Sequence, residues 1–359
     1  MSEKSIFKQM KKSRIFTSLL TILTLSACNV EQKKVGAEGA QVEEKVVNVY
    51  TSRHYDADKE LYKKFEEETG IKVNVKRGVD DQLIALLQSE DSLTHGDLLL
   101  TADVGRLAYA KELGLYRSIS SDTLEMVVPN HLQDVDNQWY ALTKRARILV
   151  LDTAFQEMEG ATYSELSNER FKGVLLCRSS SNIYNQSLVA SMIAHYGEEG
   201  VLNTLKGWVN NFADEPSGND RDQVKKIASG KGKVAIVNTY YLGKMVASKD
   251  EMERKAMASV KVFFPNQNTY GSHINVSGGG VLRHAKHPRN AQLLLEYLVS
   301  AEAQEVFAQA NYEYPVRAGV PAHDILQSWG TFKEDSLSLA QIGALNQKAI
   351  TLMKKAGWN

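Results

Sequence analysis

Apolar and polar positions along the chain fall into short blocks of two kinds. Residues 46–51, Val-Val-Asn-Val-Tyr-Thr, read as a strand. Residues 56–68 then place Leu61, Tyr62 and Phe65 on one helical face, closed by Gly70 where helices commonly turn left-handed. Residues 71–75 alternate as a second strand, 81–88 read as a helix, and 97–100 as a third strand running into Thr101-Ala102-Asp103. The rhythm returns with strands near 142–151 and 174–177 and helices at 186–195, 201–211 and 222–229. The final third is helical, at 289–299, 302–310 and 336–354. Strands alternating with helices imply an α/β fold with a mostly parallel sheet and crossover connections.

One stretch, residues 232–243, organises the rest. Val234 to Val237 form a continuous apolar run, as expected of a strand buried on both faces, and Asn238-Thr239 lead into Tyr240-Tyr241. Neighbouring strand residues point to opposite faces, so the two phenols can converge only if the strand stops near Thr239 and the backbone turns. The carboxyl end of such a strand is where open α/β sheets bind ligands. On these twelve residues alone, an aromatic corner packed against the next helix is the weightier alternative.

The N-terminal segment changes how composition is read. Lys4, Lys8, Lys11, Lys12 and Arg14 precede a mostly apolar run over 15–27, too short for the ~20 residues of a bilayer span but suited to a signal-peptide core. It ends Leu25-Ser26-Ala27-Cys28, which resembles a bacterial lipobox whose cysteine becomes the acylated first residue of the mature chain. Removing residues 1–27 takes five Lys/Arg and one acid from the 43 of each, leaving 38 basic against 42 acidic residues and a formal net of −4. That balance carries no nucleic-acid footprint or polybasic membrane patch. Cys28 and Cys177 are the two cysteines. A disulfide framework is therefore excluded in the lipidated protein, and Cys177, within Val174-Leu175-Leu176-Cys177, reads as a small buried hydrophobe. Residues 28–44 read as a polar tether, and the remaining length favours two lobes.

A family resemblance becomes specific at "VVNVYTSRHYDADKELYKKFEEETGIKVNV" and continues through "HGDLLLTADVGRL", "WYALTKRARILVLD", "SSSNIYNQSLVASMIAHYG", "KVAIVNTYYLGKM" and "HINVSGGGVLRHAKHP". These stretches resemble the ferric-ion-binding proteins of bacterial ABC importers, within the periplasmic solute-binding superfamily. The resemblance implies a two-lobe periplasmic-binding-protein-like α/β fold (type II) with its cleft between the lobes. It implies Fe3+ held by Tyr55, Tyr184, Tyr240 and Tyr241, with His54 beside the first of them. Arg145 corresponds to a basic residue that in some members holds a carbonate-like anion and in others balances phenolate charge. The implied partners are an ABC permease and its ATPase.

The residues support this independently. Tyr55, Tyr184 and the Tyr240-Tyr241 pair each follow an expected strand by a few residues, which directs them to one crevice. A trivalent hard ion prefers anionic oxygen, and a bound cation favours the deprotonated form of phenols whose free pKa is near 10. Arg145, His54, His273 and His284 each have ordinary structural readings as well, and Gly278-Gly279-Gly280 reads as a tight strand crossing between lobes. No Gly-x-Ser-x-Gly, His-Glu-x-x-His or Cys-x-x-Cys pattern supports an enzyme. The expected lobes are 45–142 with 272–359, and 143–271, in a monomeric Fe3+-binding lipoprotein of the cell envelope. The competing readings are a polyamine or small-oxyanion binder, with Asp80, Asp81, Asp103 or Ser179–Ser181 lining the cleft, and a tyrosine-ligated iron enzyme.

Overall fold

The computed structural model describes residues 44–53, 55–155 and 161–359. Cys28, the tether up to residue 43 and His54 lie outside the described residues. Nine strands appear in order: β1 Val46–Thr51, β2 Lys72–Arg77, β3 Leu98–Thr101, β4 Tyr140–Asp152, β5 Leu175–Leu176, β6 Val234–Asn238, β7 Val260–Phe263, β8 Ile274–Val281 and β9 Tyr314–Pro315. They form the path β2-β1-β3-β8-β4-β6-β5, with β7 and β9 also on β4.

The sheet is mixed rather than mostly parallel. Pairs β1–β2, β1–β3 and β5–β6 are parallel, as expected of strands joined through helices. The strands β3–β8, β8–β4 and β4–β6 run antiparallel, because β4 and β8 are long return strands rather than members of a βαβ series. β4 changes partners along its length: Tyr140 to Ala146 pair with β8, and Arg147 to Leu151 pair with β6. The same strand thus joins both halves of the sheet, and its residues are almost all buried.

Glycines in β8 lie at its other end, where it runs between β3 and the start of β4. A Cβ at Gly280 would lie 2.2 Å from the Gln138 carbonyl oxygen, and one at Gly279 would lie 2.7 Å from that of Leu99. The triplet lets β8 press close between β3 and β4, which is a packing role. Around the sheet, a continuous apolar core runs from Val47 and Leu61 to Trp208, Val234 and Leu352.

Helix boundaries follow local chemistry. Asp56–Thr69 ends at Gly70 with φ 68°, a left-handed cap that glycine adopts without Cβ strain. The two expected helices at 186–195 and 201–211 lie within one segment, Ile183–Asn211, broken at Gly197 (φ 73°). The expected strand at 174–177 shortens to the two residues of β5. Residues 336–354 resolve into Leu339–Ala344 and Asn346–Lys355. At the carboxyl end, the Trp358 ring lies 5.8 Å from Trp208 and 5.7 Å from Phe212, and its indole donates to the Arg178 carbonyl at 3.0 Å. The tail therefore packs on the helix Ile183–Asn211, whose apolar side is the surface its tryptophan can bury against.

Candidate metal centre

Each of the four tyrosines sits at the start of a helix. Tyr55 is the N-cap of Asp56–Thr69, Tyr184 is the second residue of Ile183–Asn211, and Tyr240 and Tyr241 open the helix Thr239–Val246 directly after β6. The strand-to-helix change at Asn238–Thr239 is the turn that lets neighbouring phenols converge. Helix N-termini carry partial positive charge, so three of them present a field that favours anionic oxygen. Neither Tyr55 nor Asn238 makes a side-chain cap hydrogen bond.

The phenols come together in one cleft of about 550 Å³, lined by Tyr55, Tyr184, Tyr240 and Tyr241 together with Arg53 and Lys244. The hydroxyls of Tyr184 and Tyr240 are 3.4 Å apart, and the rings of Tyr240 and Tyr241 are 4.2 Å apart at 32°. Lys244, one helical turn after Tyr240, places its ammonium 4.2 Å from the Tyr55 ring centroid and 5.4 Å from that of Tyr240. Arg145 stands 5.3 Å from the Tyr184 ring and Arg53 stands 5.1 Å from that of Tyr55. These cation–ring contacts draw the tyrosines into a cationic frame.

Arg145 is neither exposed nor a surface ion-pair residue: it is 1% exposed and lies against the site. Its guanidinium donates to Ser277 Oγ at 3.1 Å and to the Ala102 carbonyl, and stands 3.8 Å from Glu313. Arg53 donates to both carboxylate oxygens of Asp58, the shortest contact being 2.9 Å. Elsewhere, His273 is buried and His284 lies 3.3 Å from Asp91, so neither joins the cleft lining. Among Asp80, Asp81, Asp103 and Ser179–Ser181, Asp80 lines the cavity. Asp81 instead pairs with Arg106 at 2.7 Å, Asp103 accepts from Ser187 and Asn275, and Ser179 and Ser181 bond one another at 2.9 Å.

The phenols of Tyr55, Tyr184 and Tyr240 are held toward the neutral form. Burial pushes Tyr184 up to about 12 against the opposing pull of Arg145. Tyr240 rises well above the usual phenol range, first through burial and then through charge on Tyr184, Tyr55 and Tyr241. Tyr55 rises through burial and the nearby Glu313 carboxylate, with Arg53 and Arg145 opposing. Burial lowers Lys244. Among the described residues no group of three His, Cys, Asp or Glu is placed to hold a metal.

Arg53, Lys244, Glu313 and Arg178, whose guanidinium stands 5.8 Å from the Tyr184 ring, were not singled out by sequence reasoning. Lys244 carries a local signal in its i,i+4 spacing from Tyr240 on a helix, and Arg53 in its place two residues before Tyr55; Glu313 reaches the site only through the fold.

The bacterial extracellular solute-binding protein family matches residues 96–333. The chain is 42% identical to iron uptake protein A1 of Synechocystis sp., over 96% of this chain and 98% of that protein. A Trichodesmium FutA (IdiA) structure in complex with iron and citrate superposes with a TM-score of 0.85 at 43% identity, covering 88% of this chain and all of that one. The Campylobacter jejuni ferric binding protein superposes with a TM-score of 0.82 at 37% identity, covering 87% of this chain and all of that one. These likenesses extend over the strands and helices that carry the phenols. The chain belongs to the bacterial extracellular solute-binding proteins and has their two-lobe fold.

Proposed function

We propose that this protein captures ferric ion outside the cytoplasmic membrane and delivers it to an ABC permease energised by its ATPase. The observation that carries the reading is the convergence of four phenols, two with hydroxyls 3.4 Å apart, inside a frame of buried cations. Tyr55, Tyr184, Tyr240 and Tyr241 supply the phenolate ligands, and His54 adjoins the first. Fe3+ with four phenolates leaves one net negative charge, which Arg145 offsets. The Trichodesmium relative in complex with iron and citrate supports a small anion accompanying the metal here.

The lobes meet at β4 and β8, with β1–β3 in one and β5–β7 in the other. Tyr55 comes from the first, and Tyr184, Tyr240 and Tyr241 come from the second, so closure brings ligands from both sides onto the ion. Cys28 carries the lipid, the tether follows it, and the protein works as a monomer. Among the described residues no helix is long and apolar enough to cross a membrane.

Addition of ferric citrate to purified protein tests the reading, because iron–phenolate charge transfer colours the protein red to purple. A polyamine or simple oxyanion binder stays colourless. Steady-state turnover of a substrate by the coloured protein would favour an enzyme; we expect none, because four phenolates leave little open coordination.

A further inference from the structure

Glu313 is 1% exposed, and one of its carboxylate oxygens, Oε2, has no hydrogen-bond partner. It stands directly before β9, which pairs with β4 at Thr143 and Lys144, and its carboxylate lies behind Arg53 and Arg145 rather than in the cleft lining. Its two oxygens face two guanidinia, Arg53 at 3.9 Å and Arg145 at 3.8 Å. These distances are ionic contacts rather than hydrogen bonds.

A buried carboxylate that is not fully hydrogen-bonded is costly and calls for an explanation. Placing the arginines does not supply one. Arg53 is already fixed by Asp58, and Arg145 by Ser277 and the Ala102 carbonyl. What Glu313 adds is negative charge, set behind the two cations that touch the phenols of Tyr55 and Tyr184. The field of Glu313 reaches Tyr55, Arg53, Arg145 and Lys244.

We propose that Glu313 is a positioning residue for charge: acting through Arg53 and Arg145, it partly neutralises the cationic frame and holds iron affinity low enough for release. The inference rests on the ferric reading above. Binding Fe3+ through four phenolates adds one net negative charge to a cleft whose phenols were neutral. A fixed anion nearby opposes that addition, and the two arginines favour it. The same anion favours the higher charge on the metal, so it also keeps the reduction potential of bound iron low.

The test measures iron affinity by citrate competition at fixed neutral pH, and the reduction potential of the bound ion, in wild type, Glu313→Gln and Glu313→Asp. Glu313→Gln should bind iron about tenfold more tightly, with a higher potential, as expected for removal of one partly screened charge. Glu313→Asp keeps the charge but withdraws it by a methylene, so it should lie between the two. If the Gln variant does not fold, the same-direction shift in the Asp variant decides. A purely structural carboxylate would give weaker binding in Gln, and unchanged or weaker binding overturns the proposal. Failure of wild type to bind iron at all would overturn the ferric reading itself and this inference with it. Wild-type binding with an unmoved Gln variant would overturn Glu313 alone.

Discussion

At the scale of single residues, the cleft contrasts groups that gain or lose a proton with a group that does not. Tyr240→Phe and Tyr241→Phe keep the stacked rings but delete a phenolate. Their iron affinity should fall by more than the roughly 10–100-fold typical of an outer-shell loss. His54→Ala should cost less, since imidazole matches a hard trivalent ion less well than phenolate does. Citrate competition ranks them. Acid release has a definite sign. Each phenolate takes up a proton as the metal leaves, so retention falls as pH falls. Arg145 keeps its charge and pulls the Tyr184 phenol down. Arg145→Ala should therefore raise that phenol further and move iron release to higher pH. The charge-transfer band followed during acid titration with chelator present reads this, and an unmoved curve would make Arg145 structural.

At the scale of elements, positions are set by how closely strands and helices approach. Gly280→Ala would drive a methyl group toward the Gln138 carbonyl, where β8 packs between β3 and the start of β4. Overpacking of this kind costs about 1–3 kcal/mol, so thermal unfolding should show a midpoint lower by several degrees. What could be read beforehand follows the same physics. The apolar run Val234 to Val237 and the helical face of Leu61, Tyr62 and Phe65 were legible because each satisfies one period without help from elsewhere. The end of β6 was legible from the need to make Tyr240 and Tyr241 converge. The helix that follows it was not read, nor was β7, whose four half-buried residues form a strand by pairing with β4. The break at Gly197 was legible as two helices, and its left-handed backbone is what separates them. Glu313 was invisible as a site residue because the guanidinia it faces, Arg145 and Arg53, lie 168 and 260 residues away in sequence.

At the scale of the whole molecule, the buried phenols of Tyr55, Tyr184 and Tyr240 set an alkaline limit. An unfolded tyrosine ionises near pH 10, whereas Tyr184 in the fold does so at about 12, with Tyr55 and Tyr240 also raised. A raised folded value means that stability from these groups is fully present below pH 10 and is lost as pH climbs toward 12. Iron-free protein should therefore unfold at a lower denaturant midpoint as pH rises from 10 to 12. Iron-loaded protein should resist that loss, because its phenols are already ionised on the metal. Fluorescence-monitored denaturation of both forms compares them. The most direct measurement of the central claim is the visible spectrum of the purified protein during titration with ferric citrate. A charge-transfer band should rise and saturate at one iron per chain in the wild type, and weaken sharply in a variant with Tyr184, Tyr240 and Tyr241 all changed to Phe. A colourless wild-type protein, or an equal band in that variant, would contradict a phenolate-held ferric ion.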